Sequence, residues 1–578
     1  MCGIYAIFGP YDHTRAISCA ETIQHRGPDN TVYCTVPHGF LGFHRLSIMD
    51  TSSAGNQPFR GCAWTLMCNG EIYNAEELRE RYQIEKTSGD SDCEVLCQLL
   101  EEGKLDFKEL INQIYGVYSI VAVQIVVANS GAQVSTRVFI ARDPLGVRPL
   151  YWVQNDENLV IASEPCALVQ YGSAVRVFQP DTAVEVVIDA KGRISPNHVM
   201  LKMPSLAYAA AAAAAGPSSK LKTTDTNLAV HLVRNVVEKE VEMEMQSDRP
   251  MACFLSGGVD SSTVAALVAK FSSVPIHTFS IGLAGSTDLA FARIVAKHIG
   301  SIHHEIIKTE KEFIDAVPEV IRAIQSYDVT TVRASTPMFL LSQYISEHTD
   351  FKVVFSGEGP DEVCGSYMYF HSSPGPLQSA EECRRLVSDM HYFDVLRSDR
   401  CTARWGLEVR VPLLAVNFIQ TYWSIDPQLR VPQPLSSGES TQSCGASGVS
   451  CVPTQDRTPR RIEKYIFRKA FEDLLPPEVC WRQKEAFSDG VSAKERSWST
   501  ILQEHVDQQL SAEEWDAKSK SLVAFYPHHT PKTKEAFWMR QIYSEIYPQM
   551  EHLIPYQWLP KWVGNIQDPS ARKLSVYT

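Results

Sequence analysis

The stretch Phe254-Leu255-Ser256-Gly257-Gly258-Val259-Asp260-Ser261-Ser262 constrains the fold more than any other part of the chain. The apolar run 251–255 reads as a short buried strand. Two glycines break it, and Ser261-Ser262-Thr263 lead into an apolar-periodic segment, 264–271, that reads as a helix. A strand entering a Gly-Gly turn at a helix start aims several backbone N–H groups at one point, where the helix dipole adds positive potential. Such a turn suits an oxyanion, most simply a phosphate. The spacing is not GxxxxGKS/T, so the loop is not of the Walker kind. Asp260 inside the turn is an awkward neighbour for phosphate unless a cation such as Mg2+ accompanies it.

The segments that follow extend the pattern. Strand-like 277–283, helical 288–299 and strand-like 352–356 alternate, which predicts a parallel, doubly wound sheet with its ligands beyond the strand carboxyl ends. FLSGG, FSIGL (279–283) and VFSGEG (354–359) all occupy such ends and are predicted to converge on one nucleotide. Ahead of the loop, 224–246 reads as a long amphipathic helix with Leu228, Leu232, Val236 and Val241 on one side.

The first 200 residues read differently. Short β-type runs at 3–8, 39–43, 63–68, 117–127, 138–141, 159–163 and 183–188 are separated by few helical patterns, such as 75–82 and 92–102. Stacked sheets flanked by helices are expected. An alanine run, 209–215, between Pro- and Ser-containing flanks marks a linker. The expected organisation is residues 1–203 and 224–578 as two domains, joined by a linker at 204–223. A Ser/Gly/Pro-rich insertion at 432–461 carries Cys444 and Cys451.

With 578 residues, more than one core is required. The 54 basic against 67 acidic side chains, net −13, argue against nucleic acid or an anionic membrane as partner. The 15 cysteines lack CxxC or zinc-like spacing, as expected of free thiols in a reducing compartment, the cytoplasm. The uncharged stretch 110–136 has an apolar centre too short to span a membrane and fits a buried strand pair.

Cys2 follows Met1 directly. With Met1 removed, its thiol would stand beside a free α-amine of pKa about 8, so nucleophile and base would share one residue. Downstream come HRGPDN (25–30), HRLSIMD (44–50), NGEIYN (69–74), SDCEVL (91–96) and ARDPLGVRPLY (141–151), in order and closely spaced. This set resembles the glutamine amidotransferase domains of the N-terminal-nucleophile class. SGGVDSS is similar to the pyrophosphate loop of ATP pyrophosphatases, and GEGPDEVCGSY (357–367) and RQKEAFSDG (482–490) follow it. Over nearly its whole length the chain resembles the glutamine-hydrolysing asparagine synthetases.

That resemblance implies an amino-terminal αββα sandwich and a carboxy-terminal doubly wound sheet of the ATP pyrophosphatase type. It also implies roles. Cys2 would attack the glutamine side-chain amide, with Asn69 and the Gly70 N–H as oxyanion hole. Arg45, the following Leu46, Ser47, Ile48 and Met49, and Asn69, Gly70, Glu71 and Asp92 would hold glutamine. Asp92 also reads as a helix cap. Leu255, Ser256, Gly257, Gly258, Val259, Asp260, Ser261, Ser262, Ile281, Ser356 and Gly357 would bind ATP. Glu358 and Lys484 would serve adenylation, Asp260 and Asp361 would hold Mg2+, and Glu362 and Arg410 would contact aspartate. Asp328, Thr330, Thr331 and Arg333 match a stretch that lines the synthetase pocket. The partners implied are small molecules, and a homodimer is allowed.

Pro360, Ala415, Tyr115 and the Ser398-Asp399-Arg400 triplet depart from the family pattern. A non-catalytic paralogue, or a related adenylate-forming amide synthetase with another acceptor, therefore stays open beside asparagine synthesis.

Overall fold

The computed structural model describes residues 1–86, 89–127, 134–202, 223–435, 461–575 and 577. The expected linker, apart from Thr223, and positions 436–460 of the expected insertion, with Cys444 and Cys451, lie outside the described residues.

Two six-stranded sheets form the amino-terminal part. The first runs in the order Arg176–Val177, Tyr151–Gln154, Leu159–Ala162, Gly3–Phe8, Gly39–Arg45, Asn30–Val36, all antiparallel. Gly3–Phe8 is buried at every position because both faces are covered. Ile4, Ala6 and Phe8 pack against Met67, Val121 and Ile140 of the second sheet. Tyr5 and Ile7 face the other way, against Ala16 and Ala20 of helix His13–Glu21. This is the period-two alternation of a strand between two layers.

The second sheet runs Val199–Lys202, Ala183–Ile188, Val134–Arg142, Gly116–Val127, Trp64–Ile72, Phe59–Arg60. Its outer face is covered by Ala75–Tyr82, Glu94–Glu101 and Phe107–Ile111, whose Leu78, Leu96 and Leu110 meet Leu66, Cys68 and Ile120. The layers are thus αββα. The uncharged stretch supplies the antiparallel pair Gly116–Val127 and Val134–Arg142, as expected.

The carboxy-terminal sheet has five parallel strands in the order Ile302–Lys308, His277–Leu283, Met251–Phe254, Val353–Phe355, Glu408–Arg410. The three strands that end in FLSGG, FSIGL and VFSGEG are adjacent, so their carboxyl ends do converge. Two expectations need correction. The helix after the Gly-Gly turn starts at Val259, not 264, so Asp260, Ser261 and Ser262 form its first turn. The long helix spans Thr226–Glu244, but its buried row is Ala229, Val233, Val237 and Val241, while Leu228 is 49 % exposed. Small and β-branched side chains recurring every four residues let the helix lie close to its neighbours, and the bulkier leucines flank that seam.

Among the described residues no helix is long and apolar enough to cross a membrane.

The two parts share their interior. Met1, Leu46, Ile48, Leu145 and Val147 sit in one apolar cluster with Leu255, Val411 and Leu414. Buried ion pairs cross the same boundary. Arg26 donates to Asp399 at 2.7 and 3.1 Å and to Glu164 at 2.6 Å, and Arg148 lies 3.6 Å from Glu408. Removing one partner of such a group leaves uncompensated buried charge, at a cost of about 3–5 kcal/mol. Arg26→Met is therefore expected to lower unfolding stability by about that amount in urea titrations. A loss under about 1 kcal/mol, the value of an exposed pair, would contradict the network.

Candidate active site

Cys2 stands at the edge of strand Gly3–Phe8, where the two sheets meet. Its backbone N–H donates to Asn69 Oδ1 at 2.8 Å, Arg26 Nε donates to its carbonyl at 2.9 Å, and its Sγ lies 3.7 Å from Leu46 O. Asn69 Nδ2 is buried without a hydrogen-bond partner among the described residues. An orphan amide donor costs about 1–3 kcal/mol, and beside a thiol it is a donor available to a developing oxyanion. At Gly70 a Cβ would fall 2.0 Å from Val117 O, so strand pairing alone demands glycine there.

Met1 is 1 % exposed, with its amine 4.0 Å from Glu408 Oε2. Burial lowers this amine to about 6, against Glu408, and pushes the Cys2 thiol up to about 11, against the Met1 charge.

The expected glutamine contacts gather here, with differences. Arg45 spends Nη1 and Nη2 on the loop after it: Ser52 O at 2.7 Å, Asn56 Oδ1 at 2.8 Å, Met49 O at 3.2 Å, and Asp50 O. Its fork shapes that loop. Leu46 and Ile48 belong to the shared apolar cluster, and the Ser47 N–H is held by Asp29 at 2.8 Å. Glu71 is buried and raised well above the carboxylate range by burial and by Glu408. Asp92 Oδ2 accepts from Ile72 N at 2.6 Å, and burial pushes the carboxyl up to about 6. Asp92 is not a helix cap: helix Glu94–Glu101 has Cys93 at that position, with no side-chain capping bond.

The second site is an open cleft beyond the ends of the parallel strands. Of the residues expected to bind ATP, Leu255, Ser256, Gly258, Val259, Asp260, Ser261, Ile281, Ser356 and Gly357 line it. Gly257 and Ser262 do not. Gly257 has φ +70°, and a Cβ would fall 2.5 Å from Ala292 N, so it serves the tight turn. Ser262 is fully buried behind the loop. At Gly258 a Cβ would make an ordinary contact with Ser256 Oγ at 3.4 Å. Gly258 caps helix Val259–Phe271 and leaves the amino-terminal N–H groups facing the cleft.

From the first turn of this helix runs a line of alternating charges, in which Asp260, Asp361 and Lys484 line the cleft and Lys464 lies buried behind the lining. Lys464 Nζ sits between Asp260 Oδ2 at 2.6 Å and Asp361 Oδ1 at 2.5 Å, and Lys484 bonds the other Asp361 oxygen. Against burial, the two lysines hold Asp361 well below the carboxylate range. Burial works against the Lys464 charge, but Asp260 and Asp361 keep it above its ordinary value. Lys464 has φ +56°, a conformation costing a non-glycine residue about 1–3 kcal/mol, and it is fully buried. Asp260 Oδ1 is a buried oxygen without a partner among the described residues. Two aspartates, one with a spare oxygen, next to a phosphate-type turn fit Mg2+, which takes a few carboxylate ligands and fills its remaining positions with phosphate and water. Pro360 does not disturb this arrangement. It opens helix Pro360–Cys364, where its fixed φ suits the first helical position.

On the opposite wall Glu358 Oε2 accepts from Arg397 Nη2 at 2.7 Å, and Arg397 also bonds Asp394 at 2.8 Å. Burial raises Glu358, against Arg397. Arg397 Nε and Nη1 are buried without partners among the described residues, so this guanidinium retains donors.

Arg410, expected to contact aspartate, is elsewhere. It donates to the carbonyls of Glu244 and Gln246, bonds Glu408 at 3.1 Å and lies 3.4 Å from Glu71. The strand pleat turns its side chain toward the amino-terminal part, a choice of face that the WGLEVRVPLL motif does not reveal. Glu362 is likewise outside the cleft, bonded to the Tyr367 hydroxyl behind the wall. Thr330 lines the cleft. Asp328 instead caps helix Val329–His348, and Arg333 pairs with Glu535 and Asp568. Of the departures, Ala415 begins helix Val416–Trp423 and Asp399 holds Arg26, and neither lines the cleft.

Sequence reasoning missed Lys464, Arg397 and Asp394. The available signal was a lysine directly before the short helix Tyr465–Ala470, whose Ile466, Phe467 and Ala470 are buried.

Comparison with known proteins matches each part of the chain to a family. Residues 1–220 match the glutamine amidotransferase domain, and 232–382 and 372–565 match the asparagine synthase family. Asparagine synthetase (glutamine-hydrolyzing) of Gallus gallus is 38 % identical over 605 residues, covering 100 % of this chain and 99 % of its own. The Homo sapiens protein of the same name is 36 % identical with the same coverage. With both halves matched in order and whole-length relatives at this identity, the chain belongs to the glutamine-hydrolysing asparagine synthetase family.

Proposed function

We propose that this chain makes asparagine from aspartate, ATP and glutamine, releasing AMP, pyrophosphate and glutamate. The observation that carries the reading is the Asp260–Lys464–Asp361–Lys484 line opposite the Gly258 turn, on the same chain as a Cys2–Asn69 pair. Residues 1–203 act as the glutaminase and 224–578 as the synthetase.

In the glutaminase, Cys2 is freed of Met1 and its own amine accepts the thiol proton. The sulfur attacks the glutamine amide, while Asn69 Nδ2 and the Gly70 N–H take up the oxyanion. Glu71 and Asp92 hold the substrate ammonium, and Arg45 with its loop closes on the carboxylate. The C–N bond breaks, the amine passes the thiol proton to the departing ammonia, and water then hydrolyses the Cys2 thioester to free glutamate and the thiol.

In the synthetase, the Gly258 turn and the helix start hold the phosphates. Lys464 and Lys484 stabilise the charge that grows on departing pyrophosphate, and Arg397 offers its spare donors to an aspartate carboxylate. Asp260 and Asp361 would hold Mg2+, which supplies charge neutralisation at the phosphates. The aspartate β-carboxylate attacks the α-phosphorus, breaking the bond to pyrophosphate and forming β-aspartyl-AMP. Ammonia displaces AMP, with Glu358 placed to accept the proton it sheds. We place the reaction in the cytoplasm, in keeping with the unpaired thiols among the described residues. A homodimer is the assembly to check by sedimentation.

Pyrophosphate release from purified chain with ATP and glutamine is expected to depend on aspartate. Release that ignores aspartate sinks the synthetase reading, and a requirement for some other carboxylate redirects it to a related amide synthetase.

A further inference from the structure

Resting on that reading of the synthetase, we infer that Arg572 is a positioning residue for Lys484, acting through Glu485. The segment around Arg482 to Ser488 forms one side of the cleft, and its regular structure amounts to the four-residue helix Phe487–Gly490. Such a segment is placed by its side-chain bonds.

Glu485, the residue after Lys484, is 5 % exposed and collects donors from distant parts of the chain. Thr287 Oγ1 reaches it at 2.6 Å, Arg482 Nη2 at 3.2 Å, Arg572 Nε at 2.8 Å and the Tyr577 hydroxyl at 2.9 Å. Burial pushes this carboxyl up, but Arg572 and Arg482 prevail and keep it below its ordinary value.

Arg572 continues past Glu485. Its Nη1 donates to Ala493 O at 2.7 Å and its Nη2 to Ser492 O at 3.1 Å. Just upstream, Ser570 Oγ and the Ala571 N–H bind the two oxygens of Asp489 at 2.7 and 3.1 Å. The end of the chain therefore grips this segment at 485, 489, 492 and 493. Asp568 anchors the grip to Arg333 at 2.9 Å and to Lys573 at 2.8 Å.

Lys484 reaches Asp361 on a flexible four-carbon stem, so where its backbone sits decides where its charge falls. A planar guanidinium that bonds a carboxylate and two carbonyls at once fixes that backbone in a way a lysine cannot reproduce in full.

Steady-state kinetics of the full chain test this. Arg572→Ala is expected to lower kcat for synthesis about 10- to 100-fold, the scale of a misplacement of about 1 Å, with glutamine or ammonium alike. Glutamine hydrolysis should keep its kcat and KM, which reports a folded chain. Arg572→Lys should recover part of the loss. Because the effect passes through Glu485, Arg572→Ala combined with Glu485→Gln should be no slower than the slower single variant. An unchanged kcat in Arg572→Ala, or losses that multiply in the double variant, overturns the inference. If Arg572→Ala does not fold, Tyr577→Phe decides. A fall of about threefold, the scale of one hydrogen bond, supports the inference, and an unchanged rate overturns it. Wild-type chain without aspartate-dependent pyrophosphate release would instead sink the function proposed above, whatever Arg572 does.

Discussion

Replacing Cys2 with alanine is expected to end asparagine formation from glutamine while leaving formation from ammonium at the wild-type rate. The thiol has one polar contact, the Leu46 carbonyl at 3.7 Å, so its loss disturbs little packing. The N–H that holds Asn69 belongs to the backbone and is retained. Deleting a covalent nucleophile removes the chemistry itself, typically by about 10⁴-fold or more. Glutamate release and asparagine formation, followed separately with each nitrogen source, provide the check. Loss of the ammonium-driven reaction as well would contradict two separate sites, and surviving glutamine hydrolysis would contradict the role given to Cys2.

The second large effect is expected at Lys464. Lys464→Met keeps the length and apolar stem of the side chain but removes the charge between Asp260 and Asp361. Two buried carboxylates then face each other with Lys484 alone to answer them, and pyrophosphate loses a cation as its charge develops. Loss of one such group in a desolvated site costs about 10²–10³ in kcat. Synthesis should fall by at least that factor with either nitrogen source, while glutamine hydrolysis persists. Aspartate-dependent pyrophosphate release measures it. A change under tenfold would mean that Lys464 serves only to balance the aspartates.

The sequence showed those parts of the sites that are carried by the backbone. A Gly-Gly turn after an apolar run is a local pattern, so the strand, the turn and the adjoining strand ends were readable in advance. What could not be read was the direction of single side chains on irregular or two-faced elements. Arg410 and Arg397 lie thirteen residues apart in equally polar surroundings, and only the pleat of strand Glu408–Arg410 and the turn of helix Asp394–Ala403 decide which one meets the cleft. Lys464 escaped for a related reason. It comes 204 residues after Asp260, and a pairing at that range leaves no periodic trace. The long helix was placed correctly but rotated, because hydrophobicity favours leucine whereas the seam was built from smaller residues.

The shared interior has a practical consequence. Cutting the chain at the linker would give two pieces, each carrying half of an ion network on a freshly wetted apolar face. One would display Arg26, Arg148 and Leu145, and the other Asp399, Glu408 and Val411. Neither piece would make a well-behaved stand-alone catalyst, so dissection of the two chemistries belongs to point variants of the intact chain. The same surface resists opening as a hinge. Parting the halves would wet apolar side chains and unpair buried charges together, so substrate-driven motion should be confined to the loops around each mouth.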